Sequence, residues 1–81
     1  MTISQHARIR MQQRGINEGG IELLVNYGEH QYKNGADIYF ASKRACQLML
    51  SEGLRPSKVG RLSDVYLVLI GQTVATVAHK H

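Results

Sequence analysis

Two β-rich runs near the C-terminus, Asp64–Ile70 and Thr73–His79, flank Gly71-Gln72. No other stretch restricts the fold so strongly. Glycine suits the first central position of a type II′ turn, so the runs read as a hairpin closed by a two-residue loop. Apolar side chains occupy both of its faces, Val65, Leu67 and Leu69 alternating with Tyr66, Val68 and Ile70. A hairpin apolar on both sides belongs in the middle of a sheet or under cover on both faces.

A second hairpin is signalled upstream. Asn34-Gly35, the commonest type I′ dipeptide, separates His30–Lys33 from Ile38–Phe40. Before it, Ser4 can cap a first helix that Gly15 ends in a left-handed residue, with Ile16 folding back over Met11. Asn17 can cap a second helix to Gly28, with Ile21, Leu24 and Val25 as its apolar stripe, although Gly19 and Gly20 each weaken it by up to about 1 kcal/mol. Ser42 can cap a third helix through Glu52, ended by Gly53, with Ala45, Cys46, Met49 and Leu50 inward. Residues 43–52 also read as a strand. Leu54–Ser63, with Pro56 and Gly60, reads as a basic connector. The expected fold is α+β in the order ααββαββ: an N-terminal helical hairpin packed on an antiparallel sheet of about four strands.

The chain has 81 residues, 43% of them hydrophobic and 20% charged. That length bounds it to a single domain, 1–81, and argues against general disorder. One cysteine, Cys46, excludes an internal disulfide framework and points to a reducing, cytoplasmic setting in which Cys46 acts as a small core residue. No apolar run is long enough for a membrane span, and Met1–Arg14 is too polar for a secretory signal. The net charge of +4 and a pI near 9.6 favour polyanionic partners. Basic residues gather in two places, Arg8, Arg10 and Arg14, and then Lys43, Arg44, Arg55, Lys58 and Arg61.

Three groupings have chemical potential. His6, Arg10 and Arg14 are four apart, which makes one polar stripe beside Ala7 and Met11. In the first helical turn the helix dipole disfavours imidazolium, so His6 suits a general base; the same stripe also fits an ordinary solvated face. In the C-terminal hairpin, pairing Ile70 with Thr73 sets Val68 against Ala75, Tyr66 against Val77 and Asp64 against His79. Asp64 would then orient His79, with Tyr66 on the same face, unless Asp64 merely begins a strand and His79 lies at a frayed end. Lys43 and Arg44 beside Ser42, together with Arg61, suit phosphate binding or a plain solvated surface.

Other site types are excluded by what is missing. There is no phosphate-binding glycine fingerprint, no His-Glu-x-x-His and no paired cysteine, and His79 with His81 makes a poor ligand pair, so neither a metal nor another cofactor is expected. A helix-turn-helix DNA reader over Ser4–Tyr27 would carry Glu18 and Glu22 and no basic residue on its second helix.

The opening segment, Ser4–Ile16, resembles domain of unknown function 4258, an uncharacterised bacterial family with a similar His-Ala-x-x-Arg-Met-x-x-Arg-Gly-Ile signature, matched by His6, Ala7, Arg10, Met11, Arg14, Gly15 and Ile16. Asp37–Ala41 and Val74–His79 are also similar to that family. Helices followed by an antiparallel sheet resemble, in turn, the barnase-like and RelE-like architecture of bacterial ribonuclease toxins. The uncharacterised family lends no activity of its own; the basic charge and the toxin-like architecture lead to the expectation of an RNA-binding domain of the ribonuclease-toxin type, with any cleavage independent of metal. A metal-independent ribonuclease would use His6 or His79 as base, Arg10 and Arg14 to stabilise the phosphorane, and Tyr66 or the other histidine as acid. The alternative is a non-enzymatic interaction domain that docks nucleic acid or an acidic protein such as an antitoxin, as a monomer or weak dimer.

Overall fold

The structure, a computed structural model, describes residues 1–79. Its elements run β1 (Thr2–Ile3), α1 (Gln5–Arg14), α2 (Glu18–Tyr27), β2 (Glu29–Lys33), β3 (Ala36–Phe40), α3 (Lys43–Ser51), α4 (Pro56–Ser63), β4 (Val65–Ile70) and β5 (Thr73–His79). The fold is α+β, as the sequence leads one to expect. The sheet, however, has five strands in the order β1-β5-β4-β3-β2, and it is mixed, because β1 runs parallel to β5. The expected order ααββαββ lacks β1 and α4.

Local chemistry explains most of these elements. Ser4, Asn17 and Ser42 each accept a backbone N–H three residues on, which caps α1, α2 and α3. Residues 43–51 are therefore helix, not strand. Gly15 adopts φ 66°, and Ile16 N–H bonds Met11 O at 2.9 Å, the expected left-handed stop with its fold-back. Asn34 and Gly35 both have positive φ, 53° and 80°, as a type I′ turn requires.

The connector expected over Leu54–Ser63 is instead mostly α4. Pro56 opens this helix, where a missing N–H costs nothing, and Val59 and Leu62 anchor it in the core.

All four helices contribute to a core on one side of the sheet. Ala7 and Met11, Ile21 and Leu24, Ala45 and Met49, and Val59 and Leu62 are buried against Val65 and Leu67 of β4 and Val74 and Val77 of β5. The opposite, outer face presents Ile38, Phe40, Tyr66 and Val68, all half-buried. No described helix is long and apolar enough to cross a membrane.

The pairing of β4 with β5 departs from simple outward counting. Ile70 meets Thr73 and Leu69 meets Val74, but Val68 meets Thr76, so Ala75 is an extra residue and the register shifts. Beyond this bulge, Leu67 pairs with Val77, Tyr66 with Ala78 and Val65 with His79. The expected pairs Val68–Ala75, Tyr66–Val77 and Asp64–His79 are therefore overturned. One inserted residue inverts every later side chain, which lets Val74 and Val77, three apart, both reach the core. Ala75 O accepts from Ser4 Oγ at 3.0 Å, tying the bulge to the start of α1.

Candidate nucleic-acid interface

The residues proposed for catalysis divide between two faces of the sheet. His6 Nε2 lies 3.1 Å from Thr76 Oγ1, and Thr76 pairs with Val68 on the outer face. His79 is three residues further along β5 and pairs with the core residue Val65, on the helix side. The two histidines thus engage opposite faces of one strand. Tyr66 shares the outer face and lines an apolar hollow with Gln31, Ile38 and Phe40. Asp64 is not a strand residue but the C-cap of α4, and His79 Nδ1 approaches its backbone carbonyl at 3.3 Å, not its carboxylate. The carboxylate–imidazole pair expected from the hairpin is absent among the described residues.

The α1 stripe is only partly a solvent face. His6 is exposed, whereas Arg10 and Arg14 are half-buried. Arg10 donates to Gln13 at 3.3 Å, and Arg14 Nε is buried with no hydrogen-bond partner among the described residues. Arg8, off this stripe, forms an exposed 3.7 Å pair with Glu18 that contributes little to stability.

The three residues expected to bind phosphate do not form one site either. Arg44 lines a hollow with Tyr27, Gly28, Glu29 and Gln47, while Arg61 lines a different groove. Beside Arg44, the Tyr27 hydroxyl donates to Glu52, and this bond to a carboxylate is the main reason its pKa is raised; a phenol so held is a poor general acid. Lys43 lies at the exposed start of α3. Among the described residues, no group of three or more His, Cys, Asp or Glu could hold a metal ion. His81 lies outside the described residues, so its pairing with His79 has no structural counterpart here.

A different constellation does converge. A groove of about 300 Å³ runs between the α1–α2 turn and α4, lined by Gly15, Ile16, Asn17 and Gly20 on one side and Arg55, Ser57, Lys58, Arg61 and Leu62 on the other. Three cations therefore face a polar turn, and among the described residues no carboxylate lines the groove. The geometry follows from α4. Lys58 and Arg61, three apart, lie on one side of this short helix and Arg55 immediately precedes its first turn, while Val59 and Leu62 face the core.

The opposite wall is shaped by glycines. A Cβ built on Gly15 would lie 3.7 Å from Arg61 Nη1 and 3.9 Å from its Cδ, so the Arg61 side chain lies along the turn at van der Waals distance from that site. At Gly20 a Cβ would come within 3.0 Å of Ile16 Cγ2 and 3.3 Å of Leu62 Cδ2. The missing side chain lets α2 and α4 approach closely. The N-terminus of α2 opens beside the groove, and its dipole adds to the positive potential. Glu18, in that first turn, offsets part of this effect but turns away toward Arg8.

Sequence reading missed this groove because Arg55, Lys58 and Arg61 were assigned to a connector. The detectable signal was their three-residue spacing, interleaved with Val59 and Leu62 after a proline suited to a helix start. No family model, curated protein or solved structure matches the chain.

Proposed function

We propose that this domain binds RNA through the sugar–phosphate backbone at the groove between the α1–α2 turn and α4, without cutting it. The observation that carries the reading is that Arg55, Lys58 and Arg61 line one wall of a groove that has no carboxylate among its described lining residues. Lysine and arginine neutralise phosphates and release counterions, which supplies most sequence-independent affinity. Ser57 and Asn17 line the same groove and offer polar partners to a ribose hydroxyl, a group that DNA lacks at the 2′ position.

Binding is favoured over cleavage because acid–base chemistry needs its groups around one phosphate. His6 and His79 engage opposite faces of β5, and neither lines the cationic groove. The resemblance to domain of unknown function 4258 remains a proposal about kinship and carries no chemistry of its own.

Titration of a fluorescent single-stranded RNA tests this reading. Replacing Arg55, Lys58 and Arg61 together by alanine should lower the slope of log affinity against log salt by about 2, since each neutralised phosphate contributes about 0.7. Extrapolated across one decade from 1 M, that is about a hundredfold weaker binding near 0.1 M salt. Unchanged affinity and slope would remove the groove from the account. Wild-type protein should leave the RNA intact; cleavage lost on replacing His6 or His79 would instead support the ribonuclease reading.

A further inference from the structure

β2 ends the sheet, and all five of its residues, Glu29–Lys33, are exposed. A free strand edge is a row of unpaired N–H and C=O groups, and proteins usually blunt it with proline, a bulge, a cover or charged side chains; the two charges here, Glu29 and Lys33, are of opposite sign. This edge has no proline, and its pairing with β3 is regular from Glu29–Phe40 to Lys33–Ala36. The two-residue Asn34-Gly35 loop makes Lys33 and Ala36 the closing hydrogen-bonded pair. Alternation then directs the backbone groups of Glu29, Gln31 and Lys33 toward β3 and those of His30 and Tyr32 outward.

We propose that the chain forms a weak symmetric dimer in which β2 pairs antiparallel with β2 of a second copy, on a twofold axis through Gln31. Outward groups must meet outward groups, so an antiparallel partner can be centred only on His30, Gln31 or Tyr32. The Gln31 centre alone pairs all five residues. It sets Glu29 opposite Lys33 of the second copy at both ends, and His30 opposite Tyr32. The sequence Glu-His-Gln-Tyr-Lys is thus complementary to itself when reversed, which is what an isologous contact demands.

Side chains support the same register. Glu29 Oε2 accepts from Ser42 Oγ at 2.7 Å, which limits the freedom of a residue that ends opposite Lys33 in this register. His30 stacks on Tyr39 with centroids 4.8 Å apart and bonds Asp37 Oδ1 at 2.6 Å, so its ring is fixed. Tyr32 is 70% exposed on the same side of the strand. In the dimer each Tyr32 ring lies beside His30 of the other copy, extending the Tyr39–His30 stack across the junction.

Sedimentation analysis without RNA, from micromolar to millimolar protein, tests the dimer and its register together. The wild type should shift from monomer toward dimer as concentration rises. Lys33→Glu places like charges opposite each other twice and should weaken association about tenfold, as should Glu29→Lys. The double variant Glu29→Lys/Lys33→Glu restores opposite charges and should recover wild-type association, an outcome that misfolding of a single variant would not produce. A wild type that stays monomeric at millimolar concentration, a dimer indifferent to Lys33→Glu, or a double variant without recovery would each overturn the proposal.

Discussion

A Gly28→Ala protein is expected to lose about 3 kcal/mol of stability, near the upper end of the range for overpacking, and to melt about 15 °C below the wild type. Gly28 joins α2 to β2 at φ −72°, an angle open to any residue, so conformational freedom is not the reason. Space is. A Cβ at this position would lie 2.4 Å from Leu24 O and 2.8 Å from Phe40 O. Both are backbone atoms, one in the last turn of α2 and one at the end of β3, and neither can rotate aside. The new methyl must either part the helix from the strand or break the 2.9 Å bond from Gly28 N–H to Leu24 O.

Gly60→Ala provides the contrast, because a Cβ there meets nothing within 4 Å and the residue is helical. That substitution should stabilise the protein by up to about 1 kcal/mol. Thermal unfolding of both variants checks the pair; equal small effects would mean that the junction after α2 is looser than described.

The second large effect is expected at Leu67. Its side chain is fully buried, on the helix side of β4 between Tyr39 of β3 and Val77 of β5. Leu67→Ala leaves a cavity under the helices and should cost about 3 kcal/mol. Ile70, 55% exposed at the end of the same strand, should tolerate alanine to within about 0.5 kcal/mol. Denaturant unfolding of the two variants tests which residues of β4 face the core. A cost below about 1 kcal/mol at Leu67 would contradict the assigned faces.

Where sequence reading succeeded, the determinants were short and local. Ser4, Asn17 and Ser42 reached their amides, Gly15 took the left-handed angle, and Asn34-Gly35 made the turn. Each depends on atoms within a few residues, so the sequence displays both partners. The two-residue strand β1 gave no such signal. It exists because Thr2 N–H and Ser4 N–H find carbonyls of Gln72 and Val74, seventy residues away in the chain.

The candidate site failed to follow the sequence for two identifiable reasons. Counting outward from Gly71-Gln72 assumes an uninterrupted ladder, and the bulge at Ala75 breaks that assumption for Tyr66, Asp64 and His79 alike. The second reason is α4. Pro56 and Gly60 read as loop punctuation, yet a proline in the first turn starts a helix, and Val59 and Leu62 compensate the glycine by burial. With residues 56–63 forming an amphipathic helix, Arg61 joins Arg55 and Lys58 rather than Lys43 and Arg44. The catalytic constellation dissolves and a cationic groove replaces it.

The central claim is that RNA docks where α4 faces the α1–α2 turn, and residue-resolved amide shifts during titration with a short single-stranded RNA measure this directly. The account predicts the largest, saturable changes at Gly15–Gly20 and Arg55–Arg61, with the surroundings of Tyr66 and Ile38 on the outer face undisturbed. Changes confined to the outer face, or centred on His6 and His79, would contradict it.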